Sequence, residues 1–342
     1  MKYQQRIVFY VWTFFAAIGS IVVVTLFGLN WVFQPVTARS AVSYEITRGD
    51  SVIHIAQELK KLGWIEYPRV WSLWARFNGL SNKFRAGEYS LKSGMTPDSI
   101  LKLFTSGKVI LHSLTIVEGT TFADLKAVLL NREDIQHTLG DATDAELMLA
   151  MKMPGMHPEG QFFPDTYQFA KNTSDLNILR MAQKRMQDEL STAWENRDVN
   201  AMITSPYQLL ILASIIEKET ANSNERKKIA GVFTERLERG MRLQTDPSII
   251  YGLGEGFDGN LKKMHLLHDG PYNTYTRQGL PPTPISLPGA ASLFAAAHPE
   301  RTGYIYFVAT GKPDGTHYFS KTLQEHNVAI RRYLAMTKQS KR

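Results

Sequence analysis

The side chains best placed for proton chemistry are two glutamates in the run Glu217-Lys218-Glu219-Thr220, which closes the apolar segment 209–216. That segment is apolar on nearly every side, which predicts a central helix, and a carboxylate at the end of a buried helix is partly desolvated. Desolvation disfavours the charged form and raises the pKa, the property a general acid needs near neutral pH. Ser214 and Lys218, four apart, mark the expected solvent stripe, with Glu217 and Glu219 on its opposite flanks. Glu217 continues Leu210 and Ala213, and Glu219 continues Leu212, Ile215 and Ile216. Helical phase does not separate the two, and both also read as solvated charges that end a core helix.

Other chemistries are poorly served. Cysteine is absent, which excludes a thiol nucleophile, a Cys-ligated metal and a disulfide scaffold. There is no His-Glu-x-x-His, no Gly-x-Ser-x-Gly and no phosphate loop. His265 and His268 come nearest to a metal pair and read as surface-loop residues. Ser99-Ile-Leu-Lys102 has S-x-x-K spacing but lacks the companion motifs of such hydrolases. No metal or cofactor is expected. A net charge of +7 on 342 residues is mild; it suits an acidic partner such as nucleic acid, anionic lipid or a wall polymer, and is equally compatible with chance.

The elements that would position this chemistry follow from patterning. Residues 7–29 carry no charge and are long enough to cross a hydrocarbon core of about 30 Å. Lys2 and Arg6 precede them, which predicts a cytoplasmic tail over 1–6 and a transmembrane anchor over 7–33. A cleaved signal peptide is the competing reading. It is disfavoured by the length of the run and by the poor cleavage site at Thr37-Ala38-Arg39. After a linker at 34–43, a strand–Gly–hydroxyl–helix pattern occurs three times, around Gly49 and Ser51, Gly94 and Thr96, and Gly119 and Thr121. In each, the hydroxyl is expected to cap the helix. Further helices are expected over 174–194, from the cap Ser205, from the cap Ser223 to Gly240, and from Asp246-Pro247, where Asp246 reads as an N-cap. The Pro- and Gly-rich segment 270–289 reads as a functional loop. Residues 304–309 and 316–319 read as a hairpin.

Several long motifs occur in order: PEGQFFPDTYQF at 158–169, SIIEKET at 214–220, ERLERGMRLQTDPSIIYGLG at 235–254, PYNTYTRQGLPPTPISLPGAASLFAAAHP at 271–299 and YFVATGKPDGTHYFSKTLQEHN at 306–327. With them the chain resembles the endolytic murein transglycosylase (YceG-like) family over essentially its whole length. The stretch from Tyr44 through Ala56 also resembles the opening of a LysM module, a binder of N-acetylglucosamine-rich glycans.

The resemblance implies an α+β fold with an N-terminal transmembrane helix. After it come a LysM-like α/β region over 44–110, a mainly helical, lysozyme-like catalytic domain with a small sheet over 111–335, and a tail at 336–342. It implies cleavage of peptidoglycan strands between N-acetylmuramic acid and N-acetylglucosamine, leaving 1,6-anhydro ends and limiting strand length. The protein would sit in the inner membrane with its catalytic domain periplasmic. The implied partners are glycan strands, the membrane and peptidoglycan synthases (penicillin-binding proteins), with no nucleic acid. By similarity to the Glu-Ser pair of lysozyme-like transglycosylases, the single catalytic acid falls at Glu219, with Glu217 as the alternative. Glu159, Gln244, Asn273, Tyr275 and Thr276 are the candidates for touching substrate, and Glu159 also reads as a turn residue.

Overall fold

The computed structural model describes residues 2–37, 40–199 and 202–340. Ala38 and Arg39 of the disfavoured cleavage site, and Met1, Lys341 and Arg342 of the expected tails, lie outside them. The chain forms two compact units, Met1–His112 with Phe169–Asn172, and Ser113–Gln168 with Thr173–Arg342.

The first unit begins with α1 (Lys2–Val32), whose stretch Ile7–Val32 is long and apolar enough to cross a membrane and is exposed along most of its length. Its last turns are packed into the unit. Val32 is buried, and the rings of Phe27 and Trp31 meet Tyr67 edge-on at 5.9 and 5.3 Å. Just beyond, Val36 exchanges backbone hydrogen bonds with Met95 and Gly94. There follow β1 (Val42–Ile46), α2 (Val52–Lys61), α3 (Pro68–Phe77), β2 (Gly87–Leu91) and α4 (Pro97–Ser106). β1 and β2 pair antiparallel, Tyr44 opposite Tyr89, and the two helices between them close over Ile55, Leu59, Trp71 and Phe104.

The threefold pattern is realised as read. Ser51 accepts from His54 N–H, Thr96 from Ser99 N–H and Thr121 from Asp124 N–H, the last two as full capping boxes. Ser99 is thereby consumed in a cap, which accounts for its S-x-x-K spacing. Gly49, Gly94 and Gly119 all have φ between 76° and 103°, where a side chain would be strained.

The chain passes between units within β3 (Leu111–Thr115) and β5 (Thr166–Ala170), which form a two-stranded sheet. The second unit holds α5 (Phe122–Leu130), β4 (Ile135–Gln136), α6 (Asp144–Ala150), β6 (Thr173–Ser174) and α7 (Asp175–Glu195). It continues with α8 (Pro206–Glu219), α9 (Arg226–Glu238), α10 (Asp246–Leu253), α11 (Lys263–Leu267) and α12 (Ala290–Ala297). The chain then forms β7 (Tyr306–Ala309), β8 (His317–Ser320) and α13 (Leu323–Ser340). The small sheet expected here is realised as separate strand pairs, β4 with β6 and the antiparallel hairpin β7–β8. α8 is the centre of the unit: every residue from Leu209 to Ile216 is buried, and α7, α9, α10 and α12 pack around it. Each large apolar side chain so buried stabilises the unit by about 1.5–3 kcal/mol.

Three local readings need correction. Ser214 is not on a solvent stripe. It is fully buried, donates to Ile211 C=O at 2.7 Å and accepts from Ile285 N–H at 3.0 Å, so it ties the 270–289 loop to α8. Ser223 caps nothing; Glu225 occupies the N-cap of α9 without a side-chain cap bond. Asp246 is the first helical residue of α10, and Thr245 holds the cap position.

Candidate active site

α8 ends at Glu219, one of the two candidate acids. The Glu219 carboxyl is half-buried and is pushed up to about 7, chiefly by burial and further by the nearby Asp246 carboxylate. The negative end of the α8 dipole acts in the same direction. Two groups oppose the shift. Thr245 Oγ1 donates a short hydrogen bond to Glu219 Oε1, and the Arg236 guanidinium lends positive charge. Arg236 is itself held rigidly, donating to Ile305 C=O at 2.7 Å and to Leu243 C=O at 2.6 Å. Thr245 is fixed from behind, because Thr274 Oγ1 accepts its N–H at 3.0 Å and Ser248 Oγ donates to its C=O at 2.9 Å. A carboxyl so placed is half protonated near neutral pH, has one oxygen oriented by a hydroxyl and has the other free to carry a proton.

Glu219 opens onto a cavity of about 860 Å³, walled by Thr220 to Ser223, by the turn from Gly311 to His317, and by Tyr333 and Thr337 of α13. Glu217 points elsewhere. Its carboxylate pairs with Arg226 at 3.3 Å and accepts Gly289 N–H at 3.0 Å, and its side chain is only 5% exposed. It ties α8 to α9 and to the start of α12. The two glutamates that helical phase could not separate thus differ in their partners.

The remaining candidates divide. Tyr275 donates from its hydroxyl to Asp246 at 2.6 Å and feels the charge of Glu219, so it belongs to this site. Gln244 is exposed beside it at φ 52°, its N–H held by Thr274 C=O. Asn273 is buried inside the loop. Its Nδ2 donates to the carbonyls of His265, Leu266 and His268, and its Oδ1 accepts Tyr275 N–H, so its amide builds the loop rather than facing outward. Thr276 donates to Asp269 at 2.7 Å. Glu159 lies apart from Glu219, on a separate cavity of about 890 Å³ with Tyr251 and His157. It is 2% exposed, and both of its oxygens accept Phe122 N–H at 3.1 Å, at the start of α5. Burial lifts its carboxyl to about 7 as well. The residues that sequence reasoning missed are Thr245 and Arg236, which act on Glu219, and Thr274, which holds Thr245. Only Thr245, beside Asp246-Pro247, had a local signal.

With this geometry in hand, residues 44–332 match the model of the YceG-like family. The chain belongs to the YceG-like family. A relative from Bacillus subtilis (strain 168), described as an endolytic murein transglycosylase, is 35% identical over 87% of this chain and 86% of its own. A relative of the same description from Streptococcus pneumoniae serotype 2 is 27% identical over 88% of this chain and 61% of its own. A crystal structure of a putative yceG-like protein from Listeria monocytogenes is 33% identical, covers 85% of this chain and 99% of its own, and superposes with a TM-score of 0.50. The YceG-like match runs from β1 into α13 and includes Glu219, Thr245, Arg236, Asp246 and Tyr275.

Proposed function

We propose that this YceG-like chain is a lytic transglycosylase that cuts peptidoglycan strands internally, between N-acetylmuramic acid and N-acetylglucosamine, with Glu219 as its acid and base. The substrate and the internal cut come from the description shared by its relatives. The observation that carries the assignment of the acid is the Glu219 carboxyl itself, lifted to about 7, held by Thr245 and open to a cavity.

In this mechanism protonated Glu219 gives its proton to the glycosidic oxygen as the bond from that oxygen to the muramic acid C1 breaks. The leaving sugar departs with a hydroxyl, and C1 becomes oxocarbenium-like. Glu219, now a carboxylate oriented by the Thr245 hydroxyl, takes the proton from the C6 hydroxyl of the same residue. The C6 oxygen bonds to C1, closing a 1,6-anhydro ring and restoring the acid. No water is consumed. The attack is intramolecular and so has a high effective molarity, and one carboxyl suffices where hydrolytic glycosidases use two.

The β1-α2-α3-β2 body of the first unit is read as the LysM-like holder of glycan, and the second unit as lysozyme-like. α1 is read as a single anchor in the inner membrane, tail inward and both units outward. Synthases of the same strands are the partners this placement favours. The decisive experiment is digestion of purified peptidoglycan in heavy-oxygen water. The wild-type protein is expected to release oligosaccharides with unlabelled 1,6-anhydro ends, and Glu219→Gln none. Labelled reducing ends, or an active Glu219→Gln, would overturn the mechanism.

A further inference from the structure

The hairpin brings a histidine to the wall of the Glu219 cavity, and its ring is held from several directions. His317 is the first residue of β8 and lines that cavity. Glu225, at the N-cap of α9, takes both of its inner donors: Oε1 accepts His317 N–H at 3.1 Å, and Oε2 lies 2.8 Å from Nδ1. The ring also stands edge-on to Phe307 at 5.5 Å and to Phe319 at 6.4 Å. The side chains of His317 and Glu225 are only 12% and 13% exposed.

A carboxylate only accepts, so Nδ1 must carry the proton, and in the neutral ring Nε2 is then an acceptor. Nε2 has no hydrogen-bond partner among the described residues, and it is not among the sealed polar atoms. A structural anchor for the hairpin would need only the Nδ1 side. The other nitrogen is left unpaired on a residue that lines the cavity onto which the acid opens.

We propose that His317 is a substrate-binding residue of this site, its Nε2 accepting a hydrogen bond from a hydroxyl or acetamido N–H of the glycan bound beside Glu219. Glu225 sets the tautomer that makes this nitrogen an acceptor. The inference rests on the reading of the Glu219 cavity as the glycan site. Because the ring is fixed before substrate arrives, little rotamer entropy is lost on binding.

The test compares His317→Asn, His317→Ala and His317→Gln in kcat and KM on purified glycan strands, with Glu219→Gln alongside. Asparagine keeps an N–H for Glu225 in the place of Nδ1 and removes Nε2. His317→Asn is therefore expected to melt like the wild type and yet lose about 2- to 10-fold in kcat/KM, the worth of one neutral hydrogen bond, mostly through KM. His317→Ala should lose at least as much, and His317→Gln, whose amide reaches toward the Nε2 position, should recover part. A purely structural histidine predicts the reverse, with Asn rescuing fully, and that result would overturn the proposal. Should the variants fail to fold, the imidazole 15N resonance of Nε2 in the Glu219→Gln protein decides. It moves on adding glycan if the proposal holds and stays in place if it does not. An active Glu219→Gln would sink the underlying reading. An inactive Glu219→Gln with a wild-type His317→Asn would sink this inference alone.

Discussion

Replacing Thr245 by valine removes one hydroxyl from the Glu219 site and keeps the branched shape. Thr245 is 2% exposed, and its backbone bonds to Thr274 and Ser248 do not involve the lost atom. Its Oγ1 donates to the Glu219 carboxylate and so favours the charged form. A hydrogen bond to a charged group is worth about 1.5–3 kcal/mol, and one pKa unit is about 1.36 kcal/mol. Without it the carboxyl should rise by about 1–2 units from its value of about 7. In the proposed mechanism the reaction begins with protonated Glu219, so activity should be lost as pH rises through this pKa. The alkaline limb of kcat/KM should therefore move upward by about 1–2 units in Thr245→Val. The plateau should fall, because a weaker acid protonates the leaving oxygen less readily. The assay is the rate of release of 1,6-anhydro ends from purified strands across pH, with melting temperature as the control for folding. An alkaline limb that stays in place, or moves down, would refute the placing of the working proton on Glu219.

Stability itself should depend on pH, because the carboxyls of Glu219 and Glu159 are both raised from 4.5 to about 7 in the folded protein. Their contribution is fully present below about 4.5 and is lost as pH rises through about 7. Urea midpoints should decline over that window, and less steeply in Glu159→Gln and Glu219→Gln. Glu217→Ala should cost about 3–5 kcal/mol in denaturant unfolding, because it strands the buried Arg226 guanidinium; Glu219→Gln should cost far less, and equal losses would erase the distinction between the two. Ser214→Ala should cost about 1–3 kcal/mol by leaving Ile285 N–H without its acceptor, with midpoints again the measure.

What could be read beforehand was local. Ser51, Thr96, Thr121 and Ser205 each cap the helix that follows, because a cap is a bond between residues three apart and the pattern of types carries it. The buried run 209–216 declared its own centrality. Ser214 misled because a hydroxyl in an apolar helix reads as an outward face, whereas its partners, Ile285 and Ser286, lie about seventy positions further along. Partners outside the helix, Arg226, Gly289 and Thr245, likewise decide the division of labour between Glu217 and Glu219, which helical phase alone does not show. Asn273 looked like a sugar-binding amide because its chemistry suits sugars, yet three carbonyls at the end of α11 already occupy it.

The way α1 ends sets a height. Phe27, Trp31 and Val32 are engaged by the first unit, and Val36 is already bonded into it. The run from 7 to 26 that remains is about 30 Å long at 1.5 Å per residue, the thickness of a hydrocarbon core. Where this helix crosses a bilayer there is no leash between lipid and protein. There the first unit would be moored at the headgroups by the same rod, with no flexible segment on which to drift outward or swing.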